Sequence, residues 1–389
     1  MNANPTPITT TDELARFCAS LATTEFVTVD TEFMRETTFW PKVCLIQVAG
    51  PEEARVIDPL ADGLDLAPLF ELFSNQNVLK VFHAARQDLE IFVRQAGAVP
   101  MPLFDTQVAA MVCGFGDQVS YENLASKLAN AQIDKSSRFT DWARRPLTPK
   151  QILYALSDVT HLRVCYEKLS QRLQKSGRAS WLDAEMATLN DPATYDLPPM
   201  EAWRRLKPRV TRPEYLAVLQ AVAAWRELEA RQRDIPRQRI LRDEAAMEIA
   251  AHPPKNAEDI GHIRGLSKGF AEGKMGQGLL AAITARLEEP RESWPQIERE
   301  ADLPRGIGPI VELLKVLLKQ KCDEHDVAQK LVASSSDLDR IAADDNADVA
   351  ALQGWRRELF GNDALRLKRG EVALAVNGNR IKLVELNKG

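Results

Sequence analysis

The sequence predicts an α/β or α+β domain followed by all-helical domains. Short runs rich in Val and Ile, separated by Pro and Gly, fill much of the first hundred residues, which is typical of strands. Segments with helical spacing follow from residue 85 onward, so we expect helices to cover the sheet. At 389 residues the chain exceeds what one hydrophobic core usually supports, and two or three domains are expected.

The individual elements follow from residue type and periodicity. Strands are predicted at Phe26–Phe33, Val43–Val48, Arg55–Ile57 and Val78–Phe82. Helices are predicted at Ala85–Gln95, Thr106–Cys113, 121–129 and 149–174. Thr148 suits the N-cap of the last helix, with Pro149 as its first residue, because proline lacks an amide hydrogen that the first turn leaves unpaired anyway.

The second half of the chain has a different pattern. Two Pro-rich polar stretches, 190–199 and 207–213, read as linkers. Residues 214–288 and 295–372 then show amphipathic segments of similar size, which predict two small helical bundles. The tail Val372–Leu386, with Gly378 in a turn, is predicted to form a short hairpin.

Composition excludes several classes of protein. The hydrophobic fraction of 45% and the charged fraction of 27% are those of an ordinary globular chain. The five cysteines form no C-x-x-C pair, which argues for free thiols in a reducing compartment rather than a zinc site. We see neither a signal peptide nor an apolar stretch near the ~20 residues that span a bilayer. A cytoplasmic location is therefore expected.

The charge is divided unevenly along the chain. Residues 1–200 carry 18 Lys and Arg against 25 Asp and Glu, whereas residues 201–389 carry 32 against 30. Within the second part, residues 204–242 hold eleven basic and four acidic side chains. Such a basic stretch can attract a polyanion, but it is equally typical of solvated helix faces.

Two acids share one face of a predicted strand. Asp30 and Glu32 are two residues apart, so their side chains leave the strand on the same side. Two like charges side by side are costly unless a counter-ion lies between them. On its own, this pattern also fits an acidic strand that faces solvent.

Two further acids lie on predicted helices. Asp88 lies near a helix N-terminus, where the macrodipole stabilises it with or without a metal. Tyr154 and Asp158 are four residues apart on one helix face, where the tyrosine could hydrogen-bond an attacking water, or simply pack against the sheet. Together with Asp30 and Glu32 they form an oxygen-only set that suits Mg²⁺ or Mn²⁺, and paired ions of this kind promote hydrolysis at phosphorus.

The order of these motifs resembles the DEDD superfamily of 3′–5′ exonucleases, and within it the ribonuclease D family. The first motif is Val29–Phe33, the second Val81–Glu90 and the third Tyr154–Asp158. Pro102–Gln107 also resembles that family, with Asp105 as a supporting or structural acid. Residues 211 to 289, including His262–Leu266, resemble the helical HRDC module, and a degenerate copy follows.

The resemblance implies a fold and a site. It implies an exonuclease domain over 1–205 with a ribonuclease H-like mixed sheet flanked by helices, an HRDC domain over 211–290, and a second HRDC-like domain with the tail over 294–389. In the family, residues that match Asp30, Glu32, Asp88 and Asp158 hold two divalent ions, Mg²⁺ or Mn²⁺, and the residue that matches Tyr154 assists the water. A sister branch has a histidine where this chain has Leu153, which places the chain in the tyrosine branch.

Two histidines near these motifs are expected to make structural contacts. His83 precedes Asp88 by five residues, and hard cations prefer oxygen to imidazole nitrogen. His161 follows Asp158 on the same helix face, where contact with the substrate is the alternative.

The function that the resemblance implies is hydrolysis of RNA from its 3′ end, with release of nucleoside 5′-monophosphates. The expected substrates are tRNA precursors with 3′ extensions and other stable RNAs, with no membrane and no obligate protein partner. One alternative is a 3′–5′ exonuclease acting on DNA, because the carboxylates do not discriminate between the sugars. Another is an inactive RNA-binding scaffold, which would be expected to lack an acid, whereas all four are present.

Overall fold

The computed structural model describes residues 2–297 and 304–386, which form two compact units. The sheet unit comprises residues 2–32, 45–191 and 304–386, and the helical unit comprises residues 33–44 and 192–297. The predicted division into domains 1–205, 211–290 and 294–389 stays a prediction.

A mixed six-stranded sheet organises the sheet unit. Its strands are β1 Asn2–Ala3, β2 Phe26–Met34, β3 Lys42–Ala49, β4 Glu53–Ile57, β5 Leu79–Phe82 and β6 Leu103–Asp105. Their order is β1-β4-β3-β2-β5-β6, with β5 parallel to both β2 and β6, and with β3 antiparallel to β4. The strand that carries Asp30 and Glu32 thus lies inside the sheet, and the predicted α/β class is confirmed.

Helices cover the sheet and form most of the remaining chain. In chain order they are α1 Thr11–Leu21, α2 Ala67–Ser74, α3 Arg86–Ala96, α4 Thr106–Val112, α5 Tyr121–Ala129, α6 Pro149–Ser176, α7 Asp183–Asn190, α8 Pro213–Arg233, α9 Arg237–Ile240, α10 Asp243–Ala251, α11 Ala257–Gly261, α12 Lys268–Glu272, α13 Lys274–Glu288, α14 Gly308–His325, α15 Gln329–Val332, α16 Ser335–Ala343, α17 Gly354–Arg356 and α18 Asn362–Lys368. Short 3₁₀ turns lie at Lys135–Ser137, Ala179–Leu182, Pro192–Thr194, Pro199–Leu206, Arg291–Ser293 and Ala350–Leu352, and a π-helical turn lies at Arg357–Gly361.

The long helix α6 begins as the sequence predicts. The Thr148 side chain accepts a hydrogen bond from the Gln151 amide, and the Gln151 side chain accepts one from the Thr148 amide, a reciprocal cap that pairs two otherwise orphaned donors. Gly177 ends the helix in the left-handed conformation, with φ at +68°.

The stretch between the two predicted linkers is folded. Residues 199–206 form a 3₁₀ helix whose Trp203 is only 1% exposed, packed in the core of the helical unit against residues of α8 such as Leu216 and Leu219. Of the two predicted linkers, 190–199 contains the 3₁₀ turn Pro192–Thr194, and 207–213 ends where α8 begins at Pro213.

The C-terminal helices pack within the sheet unit. Trp181 stacks on Trp355 with ring centroids 4.1 Å apart, and the Ala328 amide donates to the Met111 carbonyl at 2.9 Å. The tail forms an antiparallel pair, β7 Val372–Asn377 and β8 Arg380–Glu385, with Gly378 at a positive φ of +60°, so the predicted hairpin is confirmed. Within residues 2–297 and 304–386, the helices lack the combination of length and apolarity that crossing a bilayer requires.

Candidate active site

The face of β2 that bears Asp30 and Glu32 is crossed by α6. Thr28, two residues before Asp30 on the same face, donates its hydroxyl hydrogen to the Val159 carbonyl of α6 at 2.8 Å. Farther along α6, the Arg163 guanidinium donates to the Phe26 and Ala49 carbonyls of β2 and β3. These bonds pair buried polar groups and fix the register of helix on strand, which brings Asp158 to the acidic face.

Tyr121 holds α6 at the position of Asp158. Its buried hydroxyl lies within hydrogen-bond distance of the Ser157 carbonyl at 3.2 Å, and it also contacts the Asp158 carbonyl. The Tyr154 hydroxyl donates to the Asp158 carboxylate, and the Tyr154 ring packs near Trp142 with centroids 6.1 Å apart. The predicted pair Tyr154 and Asp158 therefore shares one face and is in direct contact.

Asp88 enters the site through a turn that Asp105 holds. Ala84 has a positive φ of +57°, which costs a residue with a Cβ about 1–2 kcal/mol. The Asp105 carboxylate accepts hydrogen bonds from the Ala84 and Ala85 amides at 3.0 and 2.8 Å, and also caps α4. Asp88 follows on the first turn of α3 and accepts a hydrogen bond from Thr31, the residue between Asp30 and Glu32. Asp105 thus has the structural role that was expected of it.

The four acids act on each other electrostatically. Burial, followed by the charge of Asp158, raises the pKa of Asp30 well above its usual range. Burial and the charges of Asp30, Asp158 and Asp88 raise the pKa of Glu32 to about 10. Burial and the Asp30 charge likewise raise the pKa of Asp88. Each acid thus lies within electrostatic reach of another in the absence of a cation.

Asp158 is the acid whose pKa is affected least by the charges of the other three acids. Burial raises its pKa to about 7, against the opposing effects of the Tyr154 hydrogen bond and the Arg138 charge. Its Oδ1 atom is buried and has no hydrogen-bond partner among the described residues. A buried carboxylate oxygen without a partner is costly, and a bound cation would satisfy it.

The donor set fits hard divalent ions. The four side chains offer carboxylate oxygens only, which is the ligand type that Mg²⁺ and Mn²⁺ prefer. As these side chains stand, no group of three or more His, Cys, Asp or Glu residues within 2–297 and 304–386 is arranged to hold an ion. Ion binding therefore requires the carboxylates to turn toward a common centre.

The two nearby histidines make different contacts. Both ring nitrogens of His83 lie within hydrogen-bond distance of protein oxygens, 3.0 Å from the Thr106 hydroxyl and 3.2 Å from the Val119 carbonyl. This agrees with the expected structural role of His83. His161 is half-buried on α6, and its burial lowers its pKa. The structural contact expected of His161 stays a prediction.

Sequence reasoning missed two residues that shape the site. Tyr121 lies at the start of α5, and no local pattern indicates that its hydroxyl reaches the backbone at Asp158. Arg138 lies in an irregular stretch, yet its charge acts on both Glu32 and Asp158. Only the short spacing of Arg138 before the Tyr154 motif could have drawn attention to it.

The helical unit carries a basic cavity of about 400 Å³. Its lining includes Arg35, Arg205, Arg226 and Arg237, together with the ring of Phe39. The two acids of the lining are already paired, Glu227 with Arg237 and Asp243 with Arg226. The lining has four arginines and these two acids, so its formal charge is positive.

Arg226 and Glu227 form the buried base of this cavity. Burial alone would raise the pKa of Glu227, but hydrogen bonds and charge from Arg237 and Arg231 hold that pKa below its ordinary value. Arg226 is 4% exposed, and its Nε finds no partner among the residues that the structure describes. An unpaired buried guanidinium nitrogen is a donor that an anion could satisfy.

Two family models match the chain. One, described as a 3′-5′ exonuclease, matches residues 5–174, and the other, the HRDC domain, matches residues 215–283. The first range holds all five predicted site residues, and the second lies within the helical unit.

Relatives resemble the chain over nearly its full length. Ribonuclease D of Granulibacter bethesdensis is 53% identical over 382 residues, covering 98% of this chain and 97% of the relative. Ribonuclease D of Nitrobacter hamburgensis is 52% identical over 378 residues, covering 97% and 99%. Among solved structures, Escherichia coli RNase D, described as an exoribonuclease involved in structured RNA processing, superposes with a TM-score of 0.80 at 29% identity, covering 95% of this chain and 99% of that one.

Proposed function

The chain belongs to the ribonuclease D family of 3′–5′ exoribonucleases, and we propose that its acidic site trims RNA from the 3′ end and releases nucleoside 5′-monophosphates. The observations that carry this proposal are the mutual electrostatic effects among four carboxylates from β2, α3 and α6, and the buried Oδ1 of Asp158, which has no hydrogen-bond partner among the described residues. We place the protein in the cytoplasm, as its free cysteines suggest.

Asp30, Glu32, Asp88 and Asp158 are the residues that would hold two divalent ions, Mg²⁺ or Mn²⁺. Bound there, such a pair supplies charge neutralisation at the scissile phosphate and a nucleophile at neutral pH. The raised pKa values of the acids support this assignment, because a bound cation would offset both the burial and the mutual repulsion that raise them.

Tyr154 would orient the attacking water through its hydroxyl. Burial and the charge of Asp158 raise the pKa of Tyr154 far above its ordinary value, so the phenol keeps its proton. A protonated phenol can donate or accept a hydrogen bond but is a poor general base. Its contact with Asp158 and its packing near Trp142 hold it in place for that task.

The proposed substrates are structured RNAs with unpaired 3′ extensions, tRNA precursors among them. The resemblance supports this class, and the basic cavity of the helical unit supports a polyanionic ligand.

The test of this function is an assay on a tRNA precursor with a labelled 3′ extension. We expect stepwise release of 5′-mononucleotides with Mg²⁺ or Mn²⁺ and none with chelator. A DNA strand that matches the extension is degraded in parallel as the comparison. Internal cleavage, or equal rates with chelator, would reject the proposal, and preference for the DNA strand would favour the exodeoxyribonuclease alternative.

The cavity of the helical unit is expected to bind RNA phosphates. The double variant Arg35→Gln/Arg205→Gln removes two of its positive charges and leaves Arg226 and Arg237 in place. The slope of log Kd against log salt for a single-stranded RNA should become shallower by about 0.7 for each phosphate that the variant no longer neutralises. Binding is measured in chelator so that the RNA stays intact.

The control for this measurement is Lys268→Gln, which removes an exposed charge of the same unit that pairs with Glu272. It should leave the slope unchanged. If the double variant also keeps the slope of the unmodified protein, the cavity makes no phosphate contact.

A further inference from the structure

A phenylalanine stands in solvent on the turn that precedes α6. Phe139 is 90% exposed, more than any other large apolar side chain in the part of the chain that the structure describes. The Arg138 guanidinium lies 5.2 Å from the centroid of its ring. Single exposed apolar residues are common on protein surfaces, so exposure alone carries no function.

The turn that carries Phe139 is anchored on both sides of it. The Thr140 hydroxyl donates to the Ser137 carbonyl at 2.7 Å, and Ser137 itself is buried. The side-chain amide of Gln151, on the first turn of α6, donates to the Thr140 hydroxyl oxygen at 3.1 Å. The backbone on either side of Phe139 is therefore held while its ring points outward.

The same turn lies beside the catalytic acids. Trp142, two residues after Thr140, packs near the ring of Tyr154, with 6.1 Å between centroids. The Arg138 charge lowers the pKa of Glu32 and Asp158, in opposition to the burial that raises both. The turn that carries Arg138 and Phe139 thus lies near enough for the Arg138 charge to act on two of the acids that would hold the metal ions.

We propose that Phe139, with Arg138 beside it, forms a stacking subsite for a base of the single-stranded 3′ end of the RNA. Proteins that hold single strands without sequence preference combine aromatic platforms with nearby cations, since every base has a flat face. An exposed ring with a guanidinium beside it, on an anchored turn whose Arg138 charge acts on two of the proposed metal ligands, has that combination. The inference rests on the proposed function and deepens it by naming what holds the strand.

The subsite is tested with Phe139→Ala, Phe139→Leu and Phe139→Trp on a short RNA with an unpaired 3′ end. We expect KM to rise about 5- to 100-fold in the alanine variant, as loss of one base stack predicts, with kcat within about twofold. Leucine should behave like alanine, because it keeps apolar bulk without a flat face, and tryptophan should restore the original KM. Val376→Ala, which truncates a side chain that is 77% exposed on the hairpin, is the control and should change nothing.

Further substrates distinguish an effect of Phe139 on base stacking from a general loss of activity in the variants. Bis(p-nitrophenyl) phosphate has no nucleobase, but its rings are aromatic, so only kcat is compared on it. All Phe139 variants should keep the original kcat, which shows that the reacting site is intact. Two RNAs are then compared with the intact RNA, one without its terminal base and one without its penultimate base. For the unmodified protein, one of the two should have a higher KM than the intact RNA. For Phe139→Ala, that same RNA and the intact RNA should have equal KM values.

The outcomes are distinct. If the unmodified protein trims the RNA and Phe139→Ala has the same KM, the subsite is wrong and the proposed function stands. The subsite is equally wrong if leucine restores KM, because stacking would then not be the interaction. If the unmodified protein hydrolyses neither RNA nor the ester with Mn²⁺, the proposed function falls and the subsite falls with it.

Discussion

Asp30→Asn is expected to lower the rate of mononucleotide release at least about 10³-fold at saturating Mn²⁺. The charge of Asp30 acts on both Glu32 and Asp88, so it lies close to two of the other proposed ligands. An amide in its place offers one neutral oxygen, and the site loses charge that supplies several kcal/mol of transition-state stabilisation. Release of 5′-mononucleotides, separated by chromatography, measures the effect.

The control for this loss is Asp62→Asn, which neutralises an exposed acid of the same unit and should leave the rate unchanged. A rate for Asp30→Asn within tenfold of the unmodified protein would rule out Asp30 as a ligand.

The Asp30→Asn change is also expected to alter how the stability of the metal-free protein depends on pH. The pKa of Glu32 is about 10 in the folded protein, above the ~4.3 of an unfolded glutamate, so the folded state binds more protons between these values. The contribution of Glu32 to the stability of the metal-free protein is therefore fully present below the unfolded value and is lost as pH rises toward 10. The Asp30→Asn change removes one charge that raises this pKa, and this loss should be smaller in the variant.

Melting temperatures between pH 6 and 9, with chelator and with Mn²⁺, test this difference. Mn²⁺ should raise the melting temperature of the unmodified protein most at pH 9, and that of the variant much less. A variant that melts below the unmodified metal-free protein at pH 9 would contradict the repulsion among these acids.

Tyr154→Phe is expected to lower kcat about 10²-fold and to leave KM within about threefold. The change removes one hydroxyl and keeps the ring that packs near Trp142. Positioned proton-handling groups contribute roughly 10²–10⁴-fold, and a phenol that keeps its proton belongs at the lower end of that range. Single-turnover rates with Mn²⁺, together with calorimetric Mn²⁺ affinity, separate this effect from loss of the metals.

Tyr166→Phe is the matched control, since Tyr166 is a buried tyrosine of the same helix that packs against Phe26 with 4.4 Å between centroids. It should keep kcat. A Tyr154→Phe protein with unchanged kcat would remove this hydroxyl from the mechanism.

Local patterns were sufficient where an element carries its own signal. β2 was predicted as Phe26–Phe33 and is found at Phe26–Met34, because its β-branched residues suit a buried strand. α6 was predicted over 149–174 and is found at Pro149–Ser176, since Thr148 and Pro149 mark its start. The two elements that position four of the five site residues were thus recognisable one at a time.

Other elements were missed although signals were present. Helix α1 was not predicted, yet Thr10 caps it and Leu14, Phe17 and Leu21 recur at helical spacing. Helix α2 has no side-chain cap, so its eight residues carry a weaker signal. Neither helix carries a proposed site residue, and their omission did not affect the prediction of function.

The chemistry of the site was readable from the chain, because the kind of ligand, its spacing and its element type are local properties. Asp30 and Glu32 share a face on any strand, and Tyr154 and Asp158 share one on any helix. The sequence alone could not predict that these two pairs come together in space. Their proximity depends on contacts between residues more than a hundred positions apart, such as the hydrogen bond from Thr28 to Val159. Packing also set the burial that raises the acids' pKa values, and it brought the Tyr121 hydroxyl to the backbone at Asp158, which no local pattern along the chain indicates.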